Sequence, residues 1–374
     1  MRTPRILIIS HDATRTGAPI LLLNLYEVLK EKFEVEFLLK HGGVLQSHFS
    51  NTAKTYTVAY NKKKKTVIGK SVNKLFDKTT QSIAKIPWSS YQLVISNTIT
   101  NGDILPLVKR YYKGKIISYV HELEIATKTF TSKTNLQAVL KYSDAFCVPS
   151  AAVQQHLHNN LKVNAGKIYL LPYYINKKVN KQVKVENPFI HIGGVGTADW
   201  RKGIDIFIAA AAYFIRTYPG TAVHFTWLGI PNNNIMLEKL QYEARLAGIS
   251  NQLSFVKETN QVEEVYNTLD ILLLTSREDP YPLVVLEAAN FKMPTICFKN
   301  TGGANEFVAG SGAGKTVEYL NFTQVANAIQ AYAANRDVLK KDGQLAYNYF
   351  KEQHMNKAAI LQQFQDLFSK YTNP

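Results

Sequence analysis

The sequence predicts an α/β protein of two doubly wound, Rossmann-like domains. Three observations carry this. A chain of 374 residues exceeds one comfortable domain and suffices for two, each burying its own core. Short apolar runs of strand length alternate with amphipathic helical stretches, as parallel strands joined by crossover helices require. The lysine-rich stretch at 177–186 loses hydrophobic periodicity and so reads as an interdomain connection. The expected division is a domain over 1–178, a linker over 179–188, a second domain over 189–355 and a last helix over 356–374.

In the first half, residues 5–9 read as a strand and 11–17 as the loop at its carboxyl end. Gly17-Ala18-Pro19 opens an amphipathic helix over 20–30, with proline near the first turn. Residues 33–39, 93–96 and 115–119 supply further strands. The last two end in Asn97-Thr98 and Val120-His121-Glu122. Loops at the carboxyl ends of parallel strands face the ligand crevice, which puts His121 there. A histidine so placed can donate to a sugar hydroxyl or a leaving oxygen, and a pKa near neutrality keeps both protonation states accessible. The bland alternative is a histidine satisfied by backbone groups. Residues 144–149 form the next strand, and Ser150 caps a helix running through 161. On that helix His156 and His158 lack an i,i+4 partner for a metal and read as surface. Residues 168–171 then lead to Pro172 and Tyr173-Tyr174-Ile175-Asn176.

The second half begins with a strand over 189–194 and a turn at Gly194 and Gly196, followed by a helix over 204–213 that starts near Gly203. Arg201 and Lys202 project from this loop and helix entrance, where fixed cations and helix N–H groups together can hold a diphosphate. Strands at 223–228 and 253–256 flank a helix over 236–247 closed by Gly248, and a helix at 262–268 follows.

The central stretch is 270–306, DILLLTSREDPYPLVVLEAANFKMPTICFKNTGGANE. Its apolar runs at 271–275 and 295–298 suit strands buried on both faces. Between them lies a helix with Pro282 as its first residue and an apolar stripe of Leu283, Val284, Leu286 and Ala289. The amides of Leu283 and Val284 are candidates for an anionic group such as phosphate. Asp279 before the helix and Glu287 inside it reach one crevice, and ionised carboxylates accept strong hydrogen bonds from sugar hydroxyls. Thr301-Gly302-Gly303-Ala304 repeats the arrangement, its glycines permitting close backbone approach ahead of another helix. The AGSGAGKT run at 309–316 fits a loose Walker A pattern. It follows a helix rather than a buried strand, which argues against a P-loop. Helices are expected over 321–330, 337–350 and 357–371.

Composition sets the outer limits. At 46% hydrophobic the chain is globular. Cys147 and Cys297 make neither a disulfide framework nor a CxxC metal site, which fits a reducing cytoplasm. No apolar run spans a bilayer, and the N-terminus enters a strand without a signal-peptide layout. The formal net charge of +16 implies an anionic partner. Segment 54–85, bounded by Lys54 and Lys85, holds nine lysines against one acid, Asp77, with apolar residues interleaved and Trp88 beside it. Such a stretch serves either as a surface seeking anionic lipid or as a solvated face. Nucleic acid is not the expected partner, because no reading helix, zinc spacing or RNP motif accompanies the charge.

SREDPYPLVVLEA, followed by MPTICF and TGGANEFV, resembles the nucleotide-binding half of glycosyltransferase family 4, retaining enzymes of the GT-B fold of the kind that build bacterial envelope polysaccharides. The family's usual signature is two glutamates separated by seven residues ahead of a small-residue helix and a GG turn. Here the first position is Asp279, with Glu278 one place early, and Pro280 and Pro282 stand where glycines are usual. WRKG resembles the family's phosphate-binding loop. The family's separate arginine falls at Thr197, leaving Arg201 as its substitute beside Lys202.

The resemblance implies two domains facing across a cleft, a terminal helix returning to the first, and a nucleotide sugar of UDP or GDP type held mainly by the second. It implies that Glu287 binds the ribose, that Asp279 and the amides near Leu283 bind the donor sugar, and that Arg201 and Lys202 bind the diphosphate. Gly17 and Ala18 would approach that diphosphate, and His121 would contact the transferred sugar. Without a DxD motif or a His/carboxylate cluster, the reading includes no metal and no cofactor. The acceptor would be a glycan or a lipid-linked glycan, met in the cytoplasm or at the inner face of the membrane. Two rivals share the architecture: an enzyme that hydrolyses or epimerises a nucleotide sugar without an acceptor, and a non-catalytic binding scaffold.

Overall fold

The computed structural model describes residues 3–59, 71–176 and 187–372, with the side chains of 71–77 left aside. The chain divides into two compact units. Unit 1 is Met1–Asn176 with Asn356–Pro374, and unit 2 is Lys177–Met355. Each is an α/β layer structure around one parallel sheet.

Unit 1 runs β1 (Arg5–Ser10), α1 (Gly17–Leu29), β2 (Glu34–Leu39), α2 (Gln46–Thr52), β3 (Thr55–Thr57), α3 (Ser71–Ala84), β4 (Leu93–Asn97), α4 (Leu105–Tyr111), β5 (Lys115–Tyr119), α5 (Glu124–Phe130), α6 (Lys133–Tyr142), β6 (Ala145–Val148), α7 (Ala151–Gln155) and β7 (Ile168–Leu170). Among the described residues the strands pair in the order β3-β2-β1-β4-β5-β6-β7. The order reverses between β1 and β4, so the crevice at their carboxyl ends is the place where such a sheet receives a ligand. Ile6, Leu7, Ile8 and Ile9 are fully buried, as a central strand covered by helices on both faces must be.

Unit 2 runs β8 (Ile190–Val195), α8 (Ile204–Thr217), β9 (Val223–Ile230), α9 (Asn234–Leu246), β10 (Leu253–Lys257), α10 (Val262–Thr268), β11 (Ile271–Leu274), α11 (Leu283–Asn290), β12 (Thr295–Phe298), α12 (Ala304–Ser311), β13 (Lys315–Val317), α13 (Phe322–Ala334) and α14 (Arg336–His354). Its sheet order is β10-β9-β8-β11-β12-β13, reversing between β8 and β11. Phe207 packs edge-on to Phe225 at 5.9 Å and to Trp227 at 5.3 Å, fixing α8 on β9. The chain ends in α15 (Lys357–Thr372), which belongs to unit 1. Phe364 and Phe368 of α15 pack on Phe33 at 5.4 and 4.9 Å, and Lys357 pairs with Glu31 at 2.5 Å.

Some local expectations are corrected and others hold. Pro282 is the residue that caps α11 rather than its first helical residue: its φ of −69° and ψ of 120° are extended, and its carbonyl accepts from the Val285 amide at 3.1 Å. Ser150 does cap α7, its hydroxyl accepting from the Val153 amide. The α-helix stops at Gln155, however, and continues as a π-turn, His156–Asn160. His156, at the start of that turn, is buried rather than on the surface, with its Nδ1 3.2 Å from the Asn160 side-chain amide. The AGSGAGKT run ends α12, closes at Gly312 with φ 62° and enters β13. Its lysine thus lies on a strand and cannot serve a P-loop.

Of the basic segment 54–85, residues 60–70 and the side chains of 71–77 lie outside the described residues, as do 179–186 of the expected linker. Where the basic segment is described, it includes β3, and Lys54, just before that strand, sits over the Tyr56 ring at 5.0 Å. Among the described residues no helix is long and apolar enough to cross a membrane, and no group of three or more His, Cys, Asp or Glu could hold a metal.

Candidate active site

In unit 2 the site is built where the loop after β8 docks on the loop after β11. Gly203 caps α8 with φ 71°, and a Cβ there would lie 2.2 Å from the Thr275 carbonyl oxygen. Only glycine fits so close an approach at that φ. The Thr275 hydroxyl donates to the Gly203 carbonyl at 2.9 Å, and the Arg277 amide to the Arg201 carbonyl at 2.8 Å. The Arg277 guanidinium donates to the Trp200 carbonyl at 2.6 Å, stacks on the Trp200 ring at 5.1 Å and grips Asp205 at 2.9 and 2.5 Å. That bidentate grip holds the Asp205 carboxyl below the usual carboxylate range. Arg277 therefore acts as a clasp on the loop that runs from Trp200 to Asp205.

Within this clasp, the Lys202 ammonium donates to an Asp279 carboxylate oxygen at 2.5 Å, with both side chains largely buried. The Arg201 guanidinium reaches the Glu278 carbonyl at 3.4 Å. Asp279 is placed by its own backbone. Its amide donates to the Thr301 carbonyl at 2.8 Å, and its carbonyl accepts from the Gly303 amide at 3.1 Å. Gly302 lies alongside with φ 136°, where an added Cβ would sit 1.6 Å from the Asp279 carbonyl oxygen. The TGG turn thus stitches the end of β12 to the end of β11.

Just beyond, α11 starts at Leu283, so the amides of Leu283 and Val284 are first-turn donors with no acceptor inside their own helix. Glu287 lies one turn further on. One of its oxygens accepts from the Tyr266 hydroxyl at 2.8 Å, and Tyr266, fully buried, stacks on Phe291. Sequence reading missed Tyr266 and Arg277. Neither has a local pattern, since each earns its role from a partner some 20 to 70 positions away.

In unit 1 the predicted residues Ala18 and His121 are joined by two that the sequence did not assign. The Asn97 side-chain amide donates to the Ala18 carbonyl at 3.2 Å, turning its own oxygen toward His121 Nε2 at 2.7 Å. The other ring nitrogen, Nδ1, faces the Tyr173 hydroxyl at 2.9 Å. Tyr119 packs on the imidazole with ring centroids 4.3 Å apart. Gly17, the first residue of α1, is exposed beside Ala18.

The expectation of two accessible protonation states at His121 is overturned. Burial, with His11 nearby, lowers its pKa to about 3, so the ring is neutral near pH 7. Glu122 is buried too, and its carboxylate accepts from the amides of His121 at 2.9 Å and Ile99 at 3.3 Å. Burial raises its pKa to about 7, against the opposing pull of those amides. Between β4 and these groups, Thr98 holds φ 74°, a costly conformation for a β-branched residue that concentrates at functional sites.

Residues 176–351, almost all of unit 2, match the family model for Glycosyl transferases group 1. An uncharacterised glycosyltransferase of Haemophilus influenzae is 26% identical over 180 residues, covering 48% of this chain and 47% of that protein. The match to curated relatives thus spans about half of their length at most. Among solved structures, Anabaena HepE with UDP-glucose superposes with a TM-score of 0.77 at 16% identity, over 98% of this chain and 99% of that one. Sucrose-phosphate synthase of Thermosynechococcus elongatus superposes with a TM-score of 0.76 at 18% identity, over 98% of each chain.

The fold is GT-B. In GT-B terms, the expected donor residues Arg201, Lys202, Asp279, Pro282, Leu283, Val284 and Glu287 all fall on unit 2, within the stretch that the family model covers. Gly17, Ala18 and His121 fall on unit 1.

Proposed function

We propose that the protein is a retaining glycosyltransferase that moves a sugar from a nucleotide-diphosphate donor to a glycan or lipid-linked acceptor in cell-surface polysaccharide synthesis. The observation that carries this is the convergence at one sheet edge of Lys202, Asp279 and the first amides of α11. This is a cation, a carboxylate and a helix start, groups of the kinds that can meet the phosphates and the glycose of a nucleoside diphosphate sugar. Among the fold's neighbours, HepE was crystallised with UDP-glucose, which supports a donor of UDP or GDP type.

In the reaction, the bond from the anomeric carbon to the diphosphate oxygen breaks while the acceptor oxygen bonds to the same face of that carbon. The acceptor proton passes to the departing diphosphate. Lys202, Arg201 and the helix start meet the charge that grows on the leaving group, a task that in this reading needs no metal. Glu287, held by Tyr266, binds the ribose. Asp279 binds the donor sugar, Gly17 and Ala18 approach the diphosphate, and His121 positions the sugar as a neutral ring.

The acceptor side is strongly cationic. Unit 1 carries 26 of the 44 Lys and Arg but only 11 of the 28 Asp and Glu. That asymmetry favours an anionic acceptor or an anionic membrane surface met by unit 1 at the cytoplasmic face.

Thermal shift against UDP, GDP and ADP, followed by donor turnover with and without glycan or lipid-linked acceptors, tests this reading. Stabilisation by one nucleotide and acceptor-dependent release of it are expected. Donor consumed equally without acceptor would make the protein a hydrolase or epimerase. No stabilisation by any nucleotide would make it a scaffold without a donor site.

A further inference from the structure

A directed polar chain lies at the carboxyl ends of β1, β4 and β5. Its direction follows from donor and acceptor chemistry. Asn97 gives an N–H to the Ala18 carbonyl, so the oxygen of that amide faces His121 Nε2 at 2.7 Å and can only accept. Nε2 therefore carries the ring proton. Nδ1 is then the acceptor for the Tyr173 hydroxyl at 2.9 Å. The links run one way, from Tyr173 to His121 to Asn97 to the carbonyl at the start of α1.

We propose that Asn97 and Tyr173 are positioning residues for His121: Asn97 holds it as the neutral tautomer with its proton on Nε2 and ties it to the Gly17-Ala18 loop, while Tyr173 fixes the orientation of the ring. This rests on the transferase reading above for its purpose and for the turnover readouts, but not for the NMR readout of the tautomer. Under it His121 serves the reaction by orientation, offering one N–H that Asn97 holds when no ligand is present, and it passes no proton to substrate.

The surroundings agree. His121 and Tyr173 are buried. The titratable groups near the imidazole are His11 with Asp12 after β1, Tyr119 and Glu122 on and after β5, and Tyr173, while Lys40 and His41 bear on His11. The Glu122 carboxylate is turned to the amides of His121 and Ile99, and the ring nitrogens bond a phenol and an amide oxygen rather than a carboxylate. Burial and the repulsion from His11 both disfavour the imidazolium. The extended ψ of 156° at Thr98, with φ 74°, is what the chain adopts directly after Asn97. Strain at that point persists only where the surrounding contacts over-determine it.

Nitrogen-15 NMR of the full chain, with the His121 signal assigned by its loss in His121→Gln, reads the tautomer directly. In the wild type the proton is expected on Nε2, and the ring is expected to stay neutral from about pH 5 to pH 8. Asn97→Asp puts a carboxylate against Nε2–H. The imidazole should then titrate within that range, and donor turnover should acquire a matching pH limb that the wild type lacks. Tyr173→Phe should keep the Nε2 tautomer and lower kcat several-fold, with the KM for the donor little changed. A wild-type proton on Nδ1, or a wild-type ring that titrates between pH 5 and 8, overturns the proposal whatever the variants do. So does an Asn97→Asp ring that titrates as the wild type does. If the wild type shows the Nε2 tautomer but binds no nucleoside diphosphate, the transferase reading fails while the assignment of the tautomer stands.

Discussion

The Lys202 ammonium and the Asp279 carboxylate are 2.5 Å apart, with side-chain exposures of 15% and 8%. The cation proposed for the diphosphate is therefore neutralised, before any ligand arrives, by the acid proposed for the donor sugar. Each holds the other in place. A diphosphate must compete with a carboxylate for Lys202 and is favoured by its greater charge.

Asp279→Asn should separate these roles. Releasing Lys202 from its anion should tighten binding of inorganic pyrophosphate by about 3- to 10-fold, while donor-sugar turnover falls by at least about 10-fold. Calorimetric titration of pyrophosphate and a turnover assay read the two effects. Unchanged pyrophosphate affinity would mean that the pair does not mask the site.

Gly302 is the backbone hinge of that same carboxylate. At φ 136° with a Cβ 1.6 Å from the Asp279 carbonyl oxygen, Gly302→Ala cannot be accommodated without moving one loop. A loss of about 2–4 kcal/mol is expected in urea unfolding of the full chain, with weaker nucleotide binding. Gly312→Ala, where a Cβ meets nothing within 4 Å although φ is 62°, should cost only about 1 kcal/mol. Equal losses at the two glycines would contradict the stitched-loop account.

Tyr266→Phe removes one hydroxyl, the donor 2.8 Å from Glu287. Glu287 then keeps its charge but loses that bond. The KM for the donor should rise about 3- to 10-fold with kcat nearly unchanged, since a ribose contact contributes to ground state and transition state alike. A fall in kcat at constant KM would place Tyr266 nearer the chemistry than proposed.

Glu122 supplies a pH signature. Its pKa is raised from 4.5 to about 7 by burial, so the fold favours its protonated form. That contribution is full below about pH 4.5, where the unfolded chain is protonated too, and is lost as pH rises through about 7. Glu122→Gln keeps an acceptor for the two amides without the charge. It should match the wild type at pH 4 and exceed it by up to about 3 kcal/mol at pH 8. His121, whose folded pKa is depressed, loses stability in the opposite direction as pH falls from about 6.5 toward 3. Both proteins share that loss, so it cancels in the comparison made by denaturant unfolding at each pH.

Much of the fold was legible because its signals are local. The apolar run at 295–298 and the pattern at 262–268 coincide with β12 and α10, and Ser150, Gly203 and Gly248 mark helix ends where expected. What escaped was short or non-local. β3 has three residues inside a basic segment, too few for alternation to register, and α5 and α6 leave no run that stands out. Pro282 lies one position earlier than expected, because its fixed φ of −69° is compatible with an extended cap as well as with a helical turn. In the site, the residue types at Lys202, Asp279 and Glu287 could be read from spacing, whereas Asn97, Tyr173, Tyr266 and Arg277 act through partners that only the folded chain brings near. The protonation of His121 was misread for the same reason. Its ordinary pKa belongs to water, and burial with two fixed partners removes that reference.

The central claim, that unit 2 grips a nucleoside diphosphate through Lys202 and the α11 start, is tested most directly by calorimetric titration of UDP, GDP and ADP into the wild type and into Lys202→Ala. The account predicts that one of the three binds the wild type and that its affinity falls at least about 10-fold in the variant. Equal affinity in the two proteins, or no binding of any of the three to the wild type, would contradict it.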